Sequence, residues 1–162
     1  DGDEACRKFA SFAVGNSAFH SDMLYQELAP SIPKLLYLLE DPEEKTRANA
    51  AGAIGNLVRN SDELCPAILR EGALQGLCDL IRVRCPHLSD GPASLSQLLS
   101  DSSVKIALFS LGNLAVHGLC RAELRNSEVV ELCQFLMRIC GHDEMVHKYA
   151  KRLLQKLGLE CE

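Results

Sequence analysis

The sequence predicts an all-α solenoid, a row of small helical units that share one hydrophobic core. Three observations predict it: the composition, a recurring set of cysteines and a recurring Gly-Asn pair. Aromatic residues make up 5% of the 162 residues and tryptophan is absent, while leucine and alanine are abundant, which favours helix over sheet. A unit too small to bury both of its faces closes its core by stacking on the next copy, and this arrangement is a solenoid.

The cysteines recur with a fixed spacing. Three of them return 55 residues later with their separations of 13 and 7 preserved: Cys65, Cys78 and Cys85 become Cys120, Cys133 and Cys140. This regularity indicates that the thiols mark equivalent positions of a repeat. Most of the eight cysteines have apolar neighbours, so we expect buried, reduced thiols in a cytosolic protein.

A Gly-Asn pair recurs within three helical apolar patterns, as Gly15-Asn16, Gly55-Asn56 and Gly112-Asn113. An alanine lies five residues before each pair, as Ala10, Ala50 and Ala107. A glycine inside a helix costs about 1 kcal/mol relative to alanine. Small residues in register therefore predict close crossings between neighbouring helices, which offset that cost.

The separations of 40 and 57 residues between the pairs indicate a unit of about 40 residues with one insertion. Each unit is predicted to contain a short helix, a second helix and a long helix. The predicted division of a single domain, 1–162, is a truncated first repeat at 3–40, a second repeat at 41–85, an exposed insertion loop at 86–98, a third repeat at 99–140 and a capping helix at 141–162. Within the insertion, residues 95–99 are predicted to be helical.

The sequence also predicts where some helices begin and how the final helix differs from the others. Asp41 followed by Pro42 predicts an N-cap and the first helical residue at the start of the second unit. The acids at Glu43-Glu44 and Asp143-Glu144 are expected to open and cap helices, since negative charge complements the helix dipole there, and an Asp or Ser cap is expected within residues 100–103. In the last helix Gln155 and Lys156 replace the Gly-Asn pair. Its Lys and Arg residues are typical of a terminal helix that exposes one face to water.

Charge and hydropathy argue for a protein partner. The net charge is −5 and no cluster of five or more Lys and Arg is present, which argues against nucleic-acid or anionic-membrane binding. No apolar run approaches the ~20 residues that span a bilayer. We therefore expect a soluble protein-binding chain.

The segment NAAGAIGNLVRNSDELCPAILREGALQGLCDLI, residues 49–81, resembles an armadillo repeat. The resemblance implies a right-handed armadillo-type (ARM/HEAT-like) α-solenoid. Residues 6–57, through ASFAVGN, PSIPKLLYLL and RANAAGAIGNL, are similar to the C-terminal armadillo region of Fused-type serine/threonine protein kinases. That narrower resemblance implies Hedgehog signalling, assembly of the motile-cilium central apparatus, a kinesin-like scaffold or Suppressor of Fused as partner, and a cytoplasmic or ciliary location.

The chain lacks the motifs of a kinase domain: there is no glycine-rich loop followed by VAIK, no HRD segment and no DFG. We expect this segment to transfer no phosphate and to bind no cofactor, with ATP and Mg²⁺ confined to a kinase domain outside it. A stand-alone armadillo adaptor without a kinase domain is the alternative. The full open reading frame distinguishes the two.

The candidate partner-binding residues are the three asparagines, because a carboxamide can pair with the backbone of an extended peptide. The resemblance to peptide-binding armadillo proteins places Asn16, Asn56 and Asn113 as a ladder on the concave surface. The alternative is that each asparagine pairs only with the adjacent loop. Arg59 and His117, one turn further on, are either donors at the rim of the groove or solvated polar residues.

Two Cys-X-His segments raise the question of a metal site: Cys85-Pro86-His87 and Cys140-Gly141-His142. A structural zinc ion needs four closely placed ligands, whereas no CxxC pair is present and His142 and His147 are five residues apart. We therefore expect no metal.

Overall fold

The computed structural model describes residues 3–85 and 92–159, and every regular element within these ranges is helical. The α-helices are α1 Glu4–Phe19, α2 Tyr25–Leu28, α3 Ile32–Leu38, α4 Glu44–Asn56, α5 Cys65–Arg70, α6 Ala73–Arg82, α7 Pro92–Ser100, α8 Ser102–Leu114, α9 Gly118–Arg125, α10 Val129–Ile139 and α11 Met145–Lys156. A short 3-10 helix, Ala29–Ser31, joins α2 to α3. The all-α prediction is confirmed.

The helices recur in groups of three. A short helix (α2, α5, α9) leads to a middle helix (α3, α6, α10) and then to a long helix (α4, α8, α11), with α1 as a further long helix at the front. The long helices pack on one another in chain order, so that α4 lies between α1 and α8, and α8 lies between α4 and α11. This stacking is that of an α-solenoid.

The predicted insertion falls between α6 and α8. Its predicted helical piece, residues 95–99, lies within α7, and Leu98 of this helix is buried. Residues 86–91 of the predicted loop lie outside the described residues. The division of the chain into numbered repeats stays a prediction.

The core runs between the long helices. The leucine at the C-terminal end of α4, α8 and α11 is almost completely buried, at 0% exposure for Leu57 and Leu114 and 1% for Leu157. The recurring alanine of each long helix is buried as well, at Ala50, Ala107 and Ala150, whereas Ala10 on α1 is exposed. Each inner alanine therefore lets the preceding long helix approach.

The predicted cap at Asp41 and Pro42 is wrong. Helix α4 begins at Glu44, and the Glu43 carboxylate accepts the amide hydrogen of Thr46 at 2.5 Å. Asp41 instead pairs with Arg7 of α1, with Nε and Oδ2 2.6 Å apart. The Asp41 Oδ1 atom accepts the amide hydrogen of Glu43 at 2.9 Å, so Asp41 shapes the turn before the helix while Glu43 is the N-cap.

The predicted cap before α8 is confirmed. Asp101 is its N-cap, and the Oδ1 atom accepts from the amides of Ser103 at 2.7 Å and Val104 at 3.4 Å. These bonds satisfy helix donors that have no partner within the helix.

In the part of the chain that the structure describes, no individual helix has both the length and the hydropathy needed to cross a membrane. Only α8 and α9, taken together across a bend of 120°, meet that criterion.

Candidate protein-binding surface

The recurring glycines lie at contacts between long helices. A Cβ atom at Gly15 would lie 3.5 Å from the Cα atom of Ala53. A Cβ atom at Gly55 would lie 2.5 Å from Ser110 Oγ and 2.9 Å from Ser110 Cα, closer than real atoms approach. The predicted close crossing is present between α4 and α8, which leaves no room for a side chain at Gly55. A Cβ atom at Gly15 would make an ordinary contact, and one at Gly112 would meet only Lys156 Nζ, at 3.8 Å.

The ladder asparagines tie each long helix to the one before it. Asn56 Nδ2 donates to the carbonyl oxygen of Gly15 at 3.0 Å, and Asn113 Nδ2 donates to that of Gly55 at 3.5 Å. Asn16, at the same position of α1, is exposed. The bonding partner is a carbonyl of the neighbouring helix, so the bonds hold two units together.

In α11, Lys156 occupies the position equivalent to the ladder asparagines. Its Nζ atom donates to the carbonyl oxygen of Gly112 at 2.6 Å. Burial and the neighbouring Arg152 lower the pKa of Lys156 below its usual value of 10.5. Gly112 lies in the last turn of α8, where a carbonyl lacks an intrahelical partner, and a cation suits this negative end of the helix dipole.

These bonds leave part of each carboxamide free for a partner. Asn56 and Asn113 are half-buried, and each bond uses one N–H donor of a group that has two donors and an acceptor oxygen. The geometry therefore permits peptide binding beside the structural bond.

A second row of inter-helix bonds lies one turn further on. His117 Nε2 lies 2.5 Å from the carbonyl oxygen of Val58, and since a carbonyl only accepts, Nε2 carries the hydrogen. Asn60, in the equivalent position, donates to the carbonyl oxygen of Phe19 at 3.2 Å. Sequence reasoning missed Asn60, although it follows Asn56 by the same four residues that separate His117 from Asn113.

Arg59 is exposed, and its guanidinium carbon lies 4.0 Å from the centre of the Phe19 ring. A cation over an aromatic face is attracted by the negative charge of that face. Arg59 and His117 thus lie near the same end of the long helices, but each already contacts the preceding unit.

Aromatic side chains accompany the asparagines. Phe12 and Phe109 each precede a ladder asparagine by four residues, and Phe9 lies one turn before Phe12. Phe9 and Phe12 are 65% and 52% exposed. Exposed rings of this size are unusual on a soluble surface and mark contact sites where they cluster.

Phe109 is fixed by α11. Its ring makes an edge contact with Tyr149, with centroids 5.6 Å apart, and the Arg152 guanidinium carbon lies 5.8 Å from its centre. Gly52 occupies the same register position in α4, and a Cβ atom there would lie 3.4 Å from the Ile106 side chain. This register position is therefore phenylalanine on α1 and α8 and glycine on α4, which lies between them.

We call the solvent-facing side of α1, α4, α8 and α11 the ladder face.

Ion pairs hold the units together at the opposite end of the long helices. The Asp101 carboxylate lies 3.4 Å from Arg47 Nη2 and 3.2 Å from Arg84 Nε. Burial alone would raise the pKa of Asp101, but hydrogen bonds from Ser103 and the two arginines outweigh it and hold the pKa below its usual 3.8. This cluster is structural.

Burial makes four of the described cysteines poor nucleophiles. Burial raises the pKa of Cys78 and Cys120 to about 12, and that of Cys85 and Cys140 to about 11. A thiol with such a pKa is protonated near neutral pH and is a poor nucleophile. Cys6 is exposed.

The second Cys-X-His segment forms a histidine pair. His147 is buried, with Nδ1 3.2 Å from the Cys140 carbonyl oxygen and Nε2 3.2 Å from His142 Nδ1. His87 of the first segment lies outside the described residues. Within residues 3–85 and 92–159, no three His, Cys, Asp or Glu side chains are grouped as metal ligands.

Comparison with known proteins agrees with this geometry. The family model of the armadillo/beta-catenin-like repeat matches residues 29–59. This range covers α3 and α4 and crosses the predicted repeat boundary between residues 40 and 41. The repeat defined by the family model therefore begins at a different helix from the repeat predicted from the sequence. Residues 29–59 therefore match an armadillo repeat, and together with the stacked helices this confirms the predicted armadillo-type α-solenoid fold.

The similar curated proteins are kinases. The chain is 48% identical over 137 residues to serine/threonine-protein kinase TIO of Arabidopsis thaliana, which covers 83% of this chain and 10% of that protein. It is 36% identical over 126 residues to serine/threonine-protein kinase 36 of Pongo abelii, covering 70% and 9%. These relatives are Fused-type kinases, so the predicted homology is confirmed, and the chain spans about a tenth of their length.

A designed armadillo repeat protein in complex with the peptide (KR)4 is among the similar solved structures. Its TM-score is 0.49 at 19% identity, covering 97% of this chain and 77% of that one.

Proposed function

We propose that this segment is a non-catalytic docking surface that holds a protein, or an extended peptide segment of one, on the ladder face. The observation that carries the proposal is the continuity of this surface across four stacked helices: α1 carries the exposed Asn16 with the exposed rings of Phe9 and Phe12, and α4 and α8 carry half-buried carboxamides. The side chains proposed to contact the partner are Asn16, Asn56, Asn113, Arg59 and His117. Extended peptides suit such a surface because their backbone groups pair with carboxamides.

We further propose that the segment is the C-terminal regulatory and partner-docking region of a Fused-type kinase. The homology to two such kinases supports this proposal. Roles in Hedgehog signalling and in building the motile-cilium central apparatus, a cytoplasmic and ciliary location, and a kinesin-like scaffold or Suppressor of Fused as partner belong to the same proposal.

In this proposal the segment transfers no phosphate and binds neither ATP nor Mg²⁺. The family match concerns a helical repeat, and the raised pKa values of the buried thiols also argue against nucleophilic catalysis. A kinase domain encoded upstream in the same reading frame supports this assignment. A complete reading frame without one supports the stand-alone adaptor.

Site-specific photo-crosslinking tests the docking surface. A photoreactive phenylalanine analogue placed at Phe12 lies on the ladder face, and the same analogue at Leu119, exposed on α9, provides the matched control. In extract from ciliated cells, we expect one protein to be captured from the Phe12 site and not from the Leu119 site. Equal capture from both sites, or capture from Leu119 alone, would contradict the proposal.

A further inference from the structure

The charge of the long helices is opposite to that of the whole chain. The chain has 17 Lys and Arg against 22 Asp and Glu, yet the long helices are rich in bases. These are Arg7, Lys8, Lys45, Arg47, Lys105, Lys148, Lys151, Arg152 and Lys156. Their only acids are Glu4 and Glu44, both in a first helical turn, and Glu44 accepts a bond from the Ser102 amide at 2.8 Å.

Three of the lysines are in register on the ladder face. Lys8, Lys105 and Lys148 each precede the ladder position of their helix by eight residues. Lys105 and Lys148 occupy equivalent positions on α8 and α11, which pack together. Arg152 follows Lys148 by one turn and extends this basic strip beside Phe109.

The α1 end of the ladder face carries exposed aromatic rings. Phe9 and Phe12 are exposed on α1, with Lys8 Nζ 5.6 Å from the centre of the Phe9 ring, so a partner that crosses the four helices meets mainly aromatic rings at one end and mainly cations at the other. Cations attract carboxylates, and exposed rings gain most from covering by another large apolar side chain.

Resting on the docking function proposed above, we infer that the ladder face selects an extended acidic segment that also carries a large apolar side chain. Its carboxylates contact the exposed Lys148 and Arg152 on α11, and the half-buried Lys105 of α8, whose Nζ atom donates to the Leu99 carbonyl oxygen at 3.3 Å, adds positive charge beside them. Its apolar side chain covers Phe9 and Phe12 on α1.

Synthetic peptides test this inference on the intact 162-residue chain. The probes are a fluorescein-labelled Asp/Glu peptide with phenylalanine at every third position, the same peptide with Lys and Arg in place of the acids, and the acidic peptide with alanine in place of phenylalanine. By fluorescence anisotropy, we expect the acidic phenylalanine peptide to bind at least about tenfold more tightly than either of the others, with affinity falling as salt is added.

Charge-reversal variants locate the contact. Lys148→Glu and Arg152→Glu should each weaken binding of the acidic phenylalanine peptide by roughly five- to tenfold. Arg121→Glu makes the same change of net charge on the exposed side of α9 and should change the affinity by less than about twofold. Thermal melting of each variant shows whether the fold is retained.

Three results would overturn the inference: tighter binding of the basic peptide, equal effects of Lys148→Glu and Arg121→Glu, or no binding of the acidic phenylalanine peptide. The crosslinking result separates these failures from failure of the docking function. If the Phe12 site still captures a protein while the acidic peptide does not bind, the surface docks a partner of different chemistry. If it captures none, the docking function itself is wrong.

Discussion

Asn56 forms a bond within the fold and also lies where we propose that a partner binds. Its Nδ2 atom donates to Gly15 of the preceding helix, while the rest of the carboxamide is half-buried at the surface. From sequence, substitution of the asparagines by alanine would be expected to leave the melting temperature almost unchanged. The inter-helix bond changes that expectation, because losing a part-buried hydrogen bond costs stability.

We therefore expect Asn56→Ala to lower the free energy of unfolding by about 1 kcal/mol and also to weaken partner binding. Urea unfolding and the peptide titration measure the two effects. Asn16→Ala removes an exposed ladder residue, so it should weaken binding with a stability change within about 0.5 kcal/mol. Leu57→Ala should cost roughly 2 to 5 kcal/mol by leaving a cavity. Unchanged stability in Asn56→Ala would show that its bond to Gly15 contributes nothing.

The recurring side chains could be located from sequence, but their partners could not. The Gly-Asn spacing predicted one ladder position per long helix, and the structure places Asn56 and Asn113 there. That Lys156 would reach the same carbonyl as an asparagine was not predictable, because a longer side chain of different chemistry breaks the pattern. Asn60 was missed because its equivalent is a histidine.

At the scale of helices, contacts between neighbouring units affect whether a sequence pattern that favours a helix start actually caps a helix. Asp41 followed by Pro42 is a strong local signal for a helix start, but Asp41 pairs with Arg7, and Glu43 caps α4 instead. Asp101, by contrast, both caps α8 and pairs with Arg47 and Arg84. Local signals therefore predicted both helices, but the Asp41-Pro42 pair placed the N-cap of α4 two residues too early.

The crossing of α4 and α8 provides a test of helix packing. Gly55→Ala places a methyl group against the backbone of Ser110 and should cost about 1 to 3 kcal/mol. Gly118→Ala is the matched control, because nothing lies within 4 Å of its Cβ position. Chemical denaturation measures both. Equal stability of the two variants would contradict a close crossing at Gly55.

The Asp101 cluster should make stability depend on pH. Its folded pKa lies below the usual 3.8, so the carboxylate contributes stability above about pH 4, and this contribution is lost as the pH falls through the folded value. Asp101→Asn keeps a cap-forming side chain but loses the charge, and it should cost about 1 to 3 kcal/mol at neutral pH. Melting curves from about pH 7 to about pH 3 should show the two proteins converging in acid. A constant difference would assign the loss to geometry.

At the scale of the whole molecule, the stacked long helices create a surface that no single unit has. Bonds from Asn56, Asn113 and Lys156 link these helices in order, and the exposed rings and cations lie on that same surface. The repeat period was sufficient to predict the solenoid, since stacking is the way such units bury their cores. The chemistry of the partner was not predictable from the period, because it depends on which exposed side chains come together across units.

Hydrogen–deuterium exchange of the chain with and without its captured partner tests the docking surface most directly. Slower exchange on binding is predicted for the exposed turns of α1, α4, α8 and α11, within peptides covering residues 4–19, 44–60, 102–117 and 145–156, and unchanged exchange for α5, α6, α9 and α10. Protection confined to α5, α6, α9 or α10, with the four long helices unaffected, would contradict docking on the ladder face.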